Sequence, residues 1–406
     1  MALFTQELRK IWRPAVLGAV LLLGLLYYYL VPGFYSDYFC NGPTAQASFD
    51  LAAGWVEQYG PTMEPEERQE LDGQLAGEIA AFSLQIQAIP EAAARGLDSY
   101  EAFQTYHDTY YAQARANGGQ ADMEEEEFLW KVMNNTNYFV INDLENYMTN
   151  YDWKGENPWN RQESFAAATP AQQGRILTLE TSPRGFLPNC VTLSTVEYAK
   201  DLAVWIVLGA VLLLSPTLVR DRLHRTRALQ WSSRRGRKVL HTQLAAGLVS
   251  ALVFSLASLA LYAIPFLGKG PLRFRACPLF NWCRGDFTWF SLSYGQYLLL
   301  LVGMLLALGL AAGGLTLFLS QYSGNYVAML LKAIPLFLVV GALAGTWLLD
   351  RPGYFRPWTE NGTTLVPSDG PTPVPPDGPF LILAALLVLA FLLCAWTCRR
   401  QRRREL

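Results

Sequence analysis

The sequence predicts an all-α polytopic membrane protein, with six transmembrane helices and a mainly helical extracytoplasmic domain inserted between the first two. Three observations lead to this fold class. The chain of 406 residues is 51% hydrophobic and 16% charged, which is typical of membrane proteins. Six apolar runs are each long enough to cross a hydrocarbon core of about 30 Å as a helix. The charges are segregated along the chain, although the net charge is −2.

The six apolar runs define the predicted membrane spans. The predicted spans lie at 15–31, 196–219, 240–266, 294–319, 327–349 and 380–398, and the apolar run of the second begins at Leu202. The first run ends in Tyr27, Tyr28 and Tyr29 rather than in a small-residue cleavage site, so we expect a retained helix and not a signal peptide. Before it, residues 1–14 alternate apolar and polar side chains at helical spacing, which predicts an amphipathic helix on the inner membrane surface. A disordered basic tail is the alternative for this segment.

The inserted domain, residues 32–195, is acidic and shows regular helix signals. Residues 32–200 contain 25 acidic and 9 basic side chains. Helices are predicted from Pro65, around Tyr100, and from Asp122 through to Tyr147 without a break. A capping box begins another helix at Thr169-Pro170-Ala171-Gln172, and Ser194-Thr195-Val196-Glu197 is expected to cap the helix that continues into the second span. With about 165 residues, the domain is large enough to have its own core.

The basic loop, residues 220–239, sets the predicted orientation. It carries seven arginines and Lys238 against a single acidic residue, Asp221. Because Lys and Arg near the ends of spans are retained on the cytoplasmic side, this loop, residues 1–14 and the tail 399–406 are expected inside the cell. Both termini of a multi-pass plasma-membrane protein would then be cytoplasmic, and the inserted domain would face outward. On composition alone the loop is equally well explained as a simple topological anchor or as a partner contact.

The remaining spans show small residues at helical spacing and short connections. Gly247, Ala251 and Ser255 recur on the third span, and the fourth span contains Gly303, Ala307, Gly309, Ala311 and Gly313. Small residues let helices approach closely in lipid, either within one chain or across a dimer face. The predicted connections are an external loop at 267–293, a short cytoplasmic turn at 320–326 and a Pro- and Gly-rich external loop at 350–379.

Four cysteines fall on the predicted outer side. Cys40 follows the first span and Cys190 precedes the second, while Cys277 and Cys283 share the next external loop. Since disulfides persist in oxidising space, we predict the pairs Cys40–Cys190 and Cys277–Cys283. Cys394 and Cys398 approach the inner face and are expected to be free thiols.

The sequence offers little chemistry of its own. It contains no GxxxxGK[ST] phosphate loop, no GxSxG elbow, no HExxH and no CxxC motif. The cysteine spacings fit no zinc pattern. We therefore predict a non-catalytic membrane subunit without a metal or cofactor, and no nucleic-acid partner.

One loop carries a family resemblance at residue level. Residues 229–238 read LQWSSRRGRK after the second span. Together with the basic interfacial helix, the large insertion and the very short turn between spans four and five, this loop resembles that of the permease subunit of ABC-2 type (type V) exporters, and is most similar to bacterial permeases with a large helical domain between the first two spans. The glutamate that the family usually has at the start of this loop is replaced by Asp221 or absent.

The resemblance implies partners and a mechanism. Such permeases pair with a separate ABC ATPase, which binds ATP and Mg, and two permease chains, identical or paralogous, form the pathway in contact with membrane lipid. The resemblance assigns contact with the ATPase to two segments. They are Arg222, Arg225, Arg227, Gln230, Trp231, Ser232, Ser233, Arg234, Arg235, Gly236, Arg237 and Lys238 of the loop, and Gln321, Tyr322 and Ser323 of the turn. Alternating access follows if the ATPase grips these segments differently in its nucleotide states.

A second function class fits the same composition. The chain could be a membrane-anchored sensor or scaffold whose acidic inserted domain binds an envelope ligand, while the basic loops hold lipid. Copurification with an ATPase distinguishes the two hypotheses. The sequence does not name a transported substrate.

Overall fold

The protein is an all-α polytopic membrane protein, as predicted. The computed structural model describes residues 2–41, 43–118, 122–152, 168–224, 239–280, 287–350, 352–355 and 377–404. The first membrane segment consists of α1 (Ala2–Ile11) and α2 (Pro14–Leu30), which are bent by 46° relative to each other. Pro14 occupies the first turn of α2, where its missing N–H has no partner to lose, so the chain bends there without a lost hydrogen bond.

The described part of the inserted domain is built almost entirely of helices. Its elements are α3 (Gly33–Asp37), a 3₁₀ turn (Phe39–Asn41), α4 (Pro43–Tyr59), α5 (Pro65–Gln87), α6 (Pro90–Ala94), α7 (Tyr100–Ala116), α8 (Met123–Asn135), α9 (Tyr138–Asp152) and α10 (Pro170–Glu180). Helices α5 through α9 share a hydrophobic core of their own, which includes the buried residues Phe82, Phe103, Leu129 and Ile141. The predicted capping box at Thr169 and Gln172 is confirmed at the start of α10.

Two predicted helix boundaries in the inserted domain are wrong. The helix expected from Asp122 to Tyr147 is divided into α8 and α9, because Asn137 bonds to α5 instead of continuing the helix. The Asn137 backbone N–H donates to Gln85 Oε1 (2.8 Å) and its side-chain amide donates to the Glu78 carbonyl (2.8 Å). The helix expected to begin at Ser194 begins earlier, at Asn189.

Five further helices are long and apolar enough to cross a membrane, among the described residues. They are α11 (Asn189–Leu223), α12 (Val239–Leu267), α13 (Tyr294–Gln321), α14 (Tyr326–Leu343) and α15 (Gly378–Arg404). Counting the bent pair α1–α2 as one span gives six candidate spans.

Helix α11 is the centre of the bundle. Its 35 residues span about 50 Å, and it packs against α2, α12, α13 and α14. On α2, Gly24 leaves room for the indole of α11, since a Cβ at Gly24 would lie 2.7 Å from Trp205 Cζ2. The Trp205 indole N–H donates to Ser258 Oγ of α12 (3.2 Å). These contacts fix α2 and α12 on α11.

The small residues of α12 and α13 face each other. A Cβ on Gly313 would lie 2.6 Å from the Cβ of Ala251, and a Cβ on Gly309 would overlap the hydroxyl of Ser255. A Cβ on Gly247 would lie 2.6 Å from Leu317 Cδ1. Of the two interpretations of these residues, the structure supports close packing within one chain.

A short two-stranded sheet joins two loops at the inserted-domain end. Strand β1 (Phe287–Thr288) pairs antiparallel with β2 (Tyr354–Phe355), and Phe287 is opposite Phe355. Helix α10 contacts this sheet through Arg175, whose Nε donates to the Thr288 carbonyl (2.8 Å). A 3₁₀ turn (Pro271–Phe274) and a π-helical segment (Ala344–Leu348) complete the same end.

Candidate functional site

The candidate site lies where α11 ends, at the opposite end of the bundle from the inserted domain. There the guanidinium of Arg222 donates to the carbonyl of Gln321, the last residue of α13, and to that of Ser323 (2.9 Å) in the turn that follows. The last carbonyls of a helix have no partner inside the helix, and an arginine fork can satisfy two of them at once. Arg222 therefore joins the beginning of the basic loop to the short turn after α13. We call this end of the bundle the Arg222 end.

The turn is held from two other helices as well. Lys332 of α14 donates to the Tyr322 carbonyl (2.9 Å), so two cations satisfy three consecutive carbonyls. The Tyr322 ring lies 5.8 Å from the ring of Trp396 of α15, and the Arg400 guanidinium lies over both rings. A positive charge at a helix C-terminus is favourable, because the exposed carbonyls carry partial negative charge.

A second connection between α11 and α13 lies one turn deeper. Ser320 Oγ donates to the Ser215 carbonyl (2.9 Å) and accepts the backbone N–H of Leu218 (3.2 Å). These groups flank Pro216, which has no N–H and so interrupts the hydrogen-bond ladder of α11. The sequence placed Ser320 in the predicted turn but did not predict its contact with α11. A proline inside a predicted span was the available signal, since it creates polar backbone groups that need a partner from a neighbouring helix.

The interfacial helix α1 is fastened to the same place through charges. Lys10 Nζ lies 2.7 Å from Glu7 Oε1 and 3.4 Å from Asp221 Oδ2, and Gln243 of α12 donates to the same Asp221 oxygen (2.7 Å). Glu7 is only 2% exposed. Glu7 and Lys10 are both on α1, so the link to α11 is the partly exposed Lys10–Asp221 pair, which Gln243 extends to α12.

The family of the chain follows from comparison with known proteins. Residues 88–368, more than two thirds of the chain, match the family model described as ABC-2 family transporter protein. The chain belongs to the ABC-2 transporter family. It is thus a permease-type membrane subunit of an ABC transporter, a class that works with an ATPase partner. No curated protein and no solved structure matched the chain.

The structure brings together part of the predicted coupling residues of this ABC-2 chain. Arg222 contacts the turn, and Gln321 and Ser323 are 6% and 0% exposed, so their side chains face the protein interior. The exposed part of the turn is Gly324–Val327 instead. The remaining predicted residues lie outside the described part of the chain. They are Arg225, Arg227, Gln230, Trp231, Ser232, Ser233, Arg234, Arg235, Gly236, Arg237 and Lys238.

The predicted cysteine pairs have different outcomes. The Sγ atoms of Cys40 and Cys190 are 3.1 Å apart, in contact but beyond the bond length of about 2.05 Å. Cys283 lies outside the described residues, and its pairing stays a prediction. Burial raises the pKa of the Cys277 thiol to about 12.

Proposed function

We propose that this ABC-2 chain is the membrane subunit of an exporter, and that an ABC ATPase binds the Arg222 end from the cytoplasm and drives alternating access. The observation that carries the proposal is the Arg222 bridge. Because Arg222 joins the basic loop to the end of α13, the two segments assigned to ATPase contact are parts of one mechanical unit.

The contacts at the Arg222 end can transmit a displacement of the basic loop to the membrane helices. Residues 225–238 connect α11 directly to α12, and α1 is fixed to both helices through Asp221. A displacement of the loop would therefore move α1, α11 and the α13 turn together rather than deform the loop alone. If the ATPase holds the loop more tightly in one nucleotide state, ATP binding shifts the population of the membrane helices.

The surface offered to the ATPase is basic and partly aromatic. Loop residues 225–238 contain five arginines and Lys238, and Tyr326 of the turn is 47% exposed. An acidic groove on the ATPase would complement this charge. Under this proposal the inserted domain, at the opposite end, faces outward, and a second permease chain completes the pathway.

The first test reverses the charge of the loop. Arg234→Glu, Arg235→Glu and Arg237→Glu together should abolish copurification of the ABC ATPase from host membranes, because the change of six charge units brings residues 225–238 from +6 to zero and removes the attraction. The matched control is Arg402→Glu, Arg403→Glu and Arg404→Glu, which makes the same charge change in the tail and should leave the ATPase bound. Unchanged ATPase association in the loop variant would reduce the loop to a topological anchor and would favour the sensor hypothesis.

The second test separates binding from coupling. Arg222→Lys keeps the charge but cannot bridge two carbonyls, so we expect the ATPase to stay bound while ATP hydrolysis by the purified complex falls several-fold. Arg222→Ala should in addition lower the free energy of unfolding by about 1.5–3 kcal/mol, which is typical for hydrogen bonds to a charged group. Wild-type hydrolysis rates in both variants would show that the bridge plays no part in coupling.

A further inference from the structure

Two cysteines meet at the base of the inserted domain. Cys40 lies in the 3₁₀ turn after α3, and Cys190 lies in the first turn of α11. They are 150 positions apart in sequence, yet their sulfur atoms are 3.1 Å apart. Cys40 is completely buried. The pair therefore joins the entry of the inserted domain to the helix at its exit.

The backbone at Cys40 is held in a strained conformation. With φ of 62°, Cys40 is the only described residue other than glycine in the left-handed region. Its neighbour Phe39 packs edge-to-face against Phe49 (5.4 Å) and Phe266 (5.5 Å), which fixes the backbone on that side. Such a conformation persists only where the surroundings impose it, and it marks positions with a specific task. Here it directs the Cys40 sulfur toward Cys190.

We propose that Cys40 and Cys190 are joined by a disulfide that fastens the inserted domain to α11. The proposal rests on the outward orientation of this domain given under the proposed function, because a disulfide persists only in oxidising space. Each thiol loses one hydrogen, the S–S bond forms, and two electrons pass to the disulfide of a thiol oxidant, which is reduced to two thiols. The sulfur atoms need to approach by only about 1 Å.

The surroundings of Cys40 make the bond structural rather than a switch. The hydrogen bond with Cys190 and the burial of Cys40 raise the pKa of the Cys40 thiol, which disfavours the thiolate that reacts in exchange. Burial of Cys40 therefore limits the access of reductants to its sulfur, although Cys190 is only partly buried. By closing a loop of about 150 residues, the bond restricts the unfolded chain strongly.

The first experiment maps the bond in the full-length chain. Membranes are quenched with N-ethylmaleimide under denaturing conditions, and the unreduced protein is digested and read by mass spectrometry. The expected result is a peptide pair linked through Cys40 and Cys190, with N-ethylmaleimide on Cys394 and Cys398 at the Arg222 end. N-ethylmaleimide on both Cys40 and Cys190 before reduction would overturn the proposal. If an external reporter still places the inserted domain outside, only the disulfide fails and the proposed function stands.

The second experiment uses variants that separate a bond from simple packing. Cys40→Ser, Cys190→Ser and the double variant should each lower the melting temperature of the purified chain by the same amount, roughly 5–15 °C, because one bond is lost in every case. All of these chains carry Cys283→Ser, which removes the second predicted pair. A reductant during unfolding should then lower the melting temperature of the chain that keeps Cys40 and Cys190 to that of the variants, and leave the variants unchanged. Cys394→Ser is the control, and its melting temperature should remain as sensitive to reductant as that of the wild type. If the decreases in melting temperature add up in the double variant, and the chain that keeps Cys40 and Cys190 does not respond to reductant, the two cysteines are not joined by a disulfide.

Discussion

At the scale of single residues, Asp143 shows how the inserted domain tolerates a half-buried charge. Its carboxylate on α9 accepts the hydroxyl of Ser48 on α4. Burial raises the pKa of Asp143 to about 6, and the Ser48 hydrogen bond opposes part of this rise. The unfolded chain releases the same proton near pH 3.9. The folded state therefore binds this proton more tightly, and the contribution of Asp143 to stability is greatest below about pH 4 and is lost as the pH rises through about 6.

This shift predicts a pH dependence that one substitution removes. Between pH 4 and pH 7, ionisation of Asp143 should lower the free energy of unfolding of the wild-type chain by about 2–3 kcal/mol. Asp143→Asn should lack this decrease, because its amide does not ionise. The measurement is the free energy of unfolding of both chains at several pH values, compared as a difference. Ser48→Ala should move the inflection of the stability-versus-pH curve to higher pH, since the hydrogen bond that lowers the pKa of Asp143 is gone. Parallel pH profiles of the wild type and Asp143→Asn would refute the assignment.

At the scale of helices, the sequence predicted elements whose causes are local. Apolar runs and the capping box at Thr169 and Gln172 are set by neighbouring residues, and both are found in the structure. The break between α8 and α9 could not be predicted in this way, because it depends on hydrogen bonds from Asn137 to Glu78 and Gln85, more than fifty positions away. Element boundaries fail where a distant helix supplies the partner.

The contact between α12 and α13 gives a prediction with an internal control. Gly309→Ala should lower the free energy of unfolding by about 1–3 kcal/mol, because its Cβ would overlap the Ser255 hydroxyl. Gly303→Ala on the same helix should be neutral or slightly stabilising, since a Cβ there meets nothing within 4 Å. Adding Ser255→Gly to Gly309→Ala should recover part of the loss. Thermal unfolding of the purified chains measures all three, and equal effects at Gly303 and Gly309 would be inconsistent with this packing.

At the scale of the whole molecule, the candidate site was only partly visible in the sequence. The sequence and its family resemblance named Arg222 and the turn that begins at Ser320. They did not predict the hydrogen bonds of Ser320 and Lys332, which depend on which helices become neighbours. The net charge nevertheless differs between the two ends. The acidic inserted domain lies at one end, and Arg222, Arg400 and α1 lie at the other. Because positive residues are retained inside, this division predicts a single orientation in the membrane.

That orientation can be tested with two exposed positions at opposite ends. Met123 on α8 is 83% exposed, and an added Cβ at Gly324 meets nothing within 4 Å, so a cysteine at either place should not disturb the fold. In a chain carrying Cys394→Ser and Cys398→Ser, Met123→Cys should react with a membrane-impermeant maleimide in intact cells. Gly324→Cys should react above the background of the parent chain only after the membrane is opened. The reverse pattern would place the Arg222 end outside, where no ATP-driven partner could reach it, and would also remove the oxidising environment that the Cys40–Cys190 bond requires.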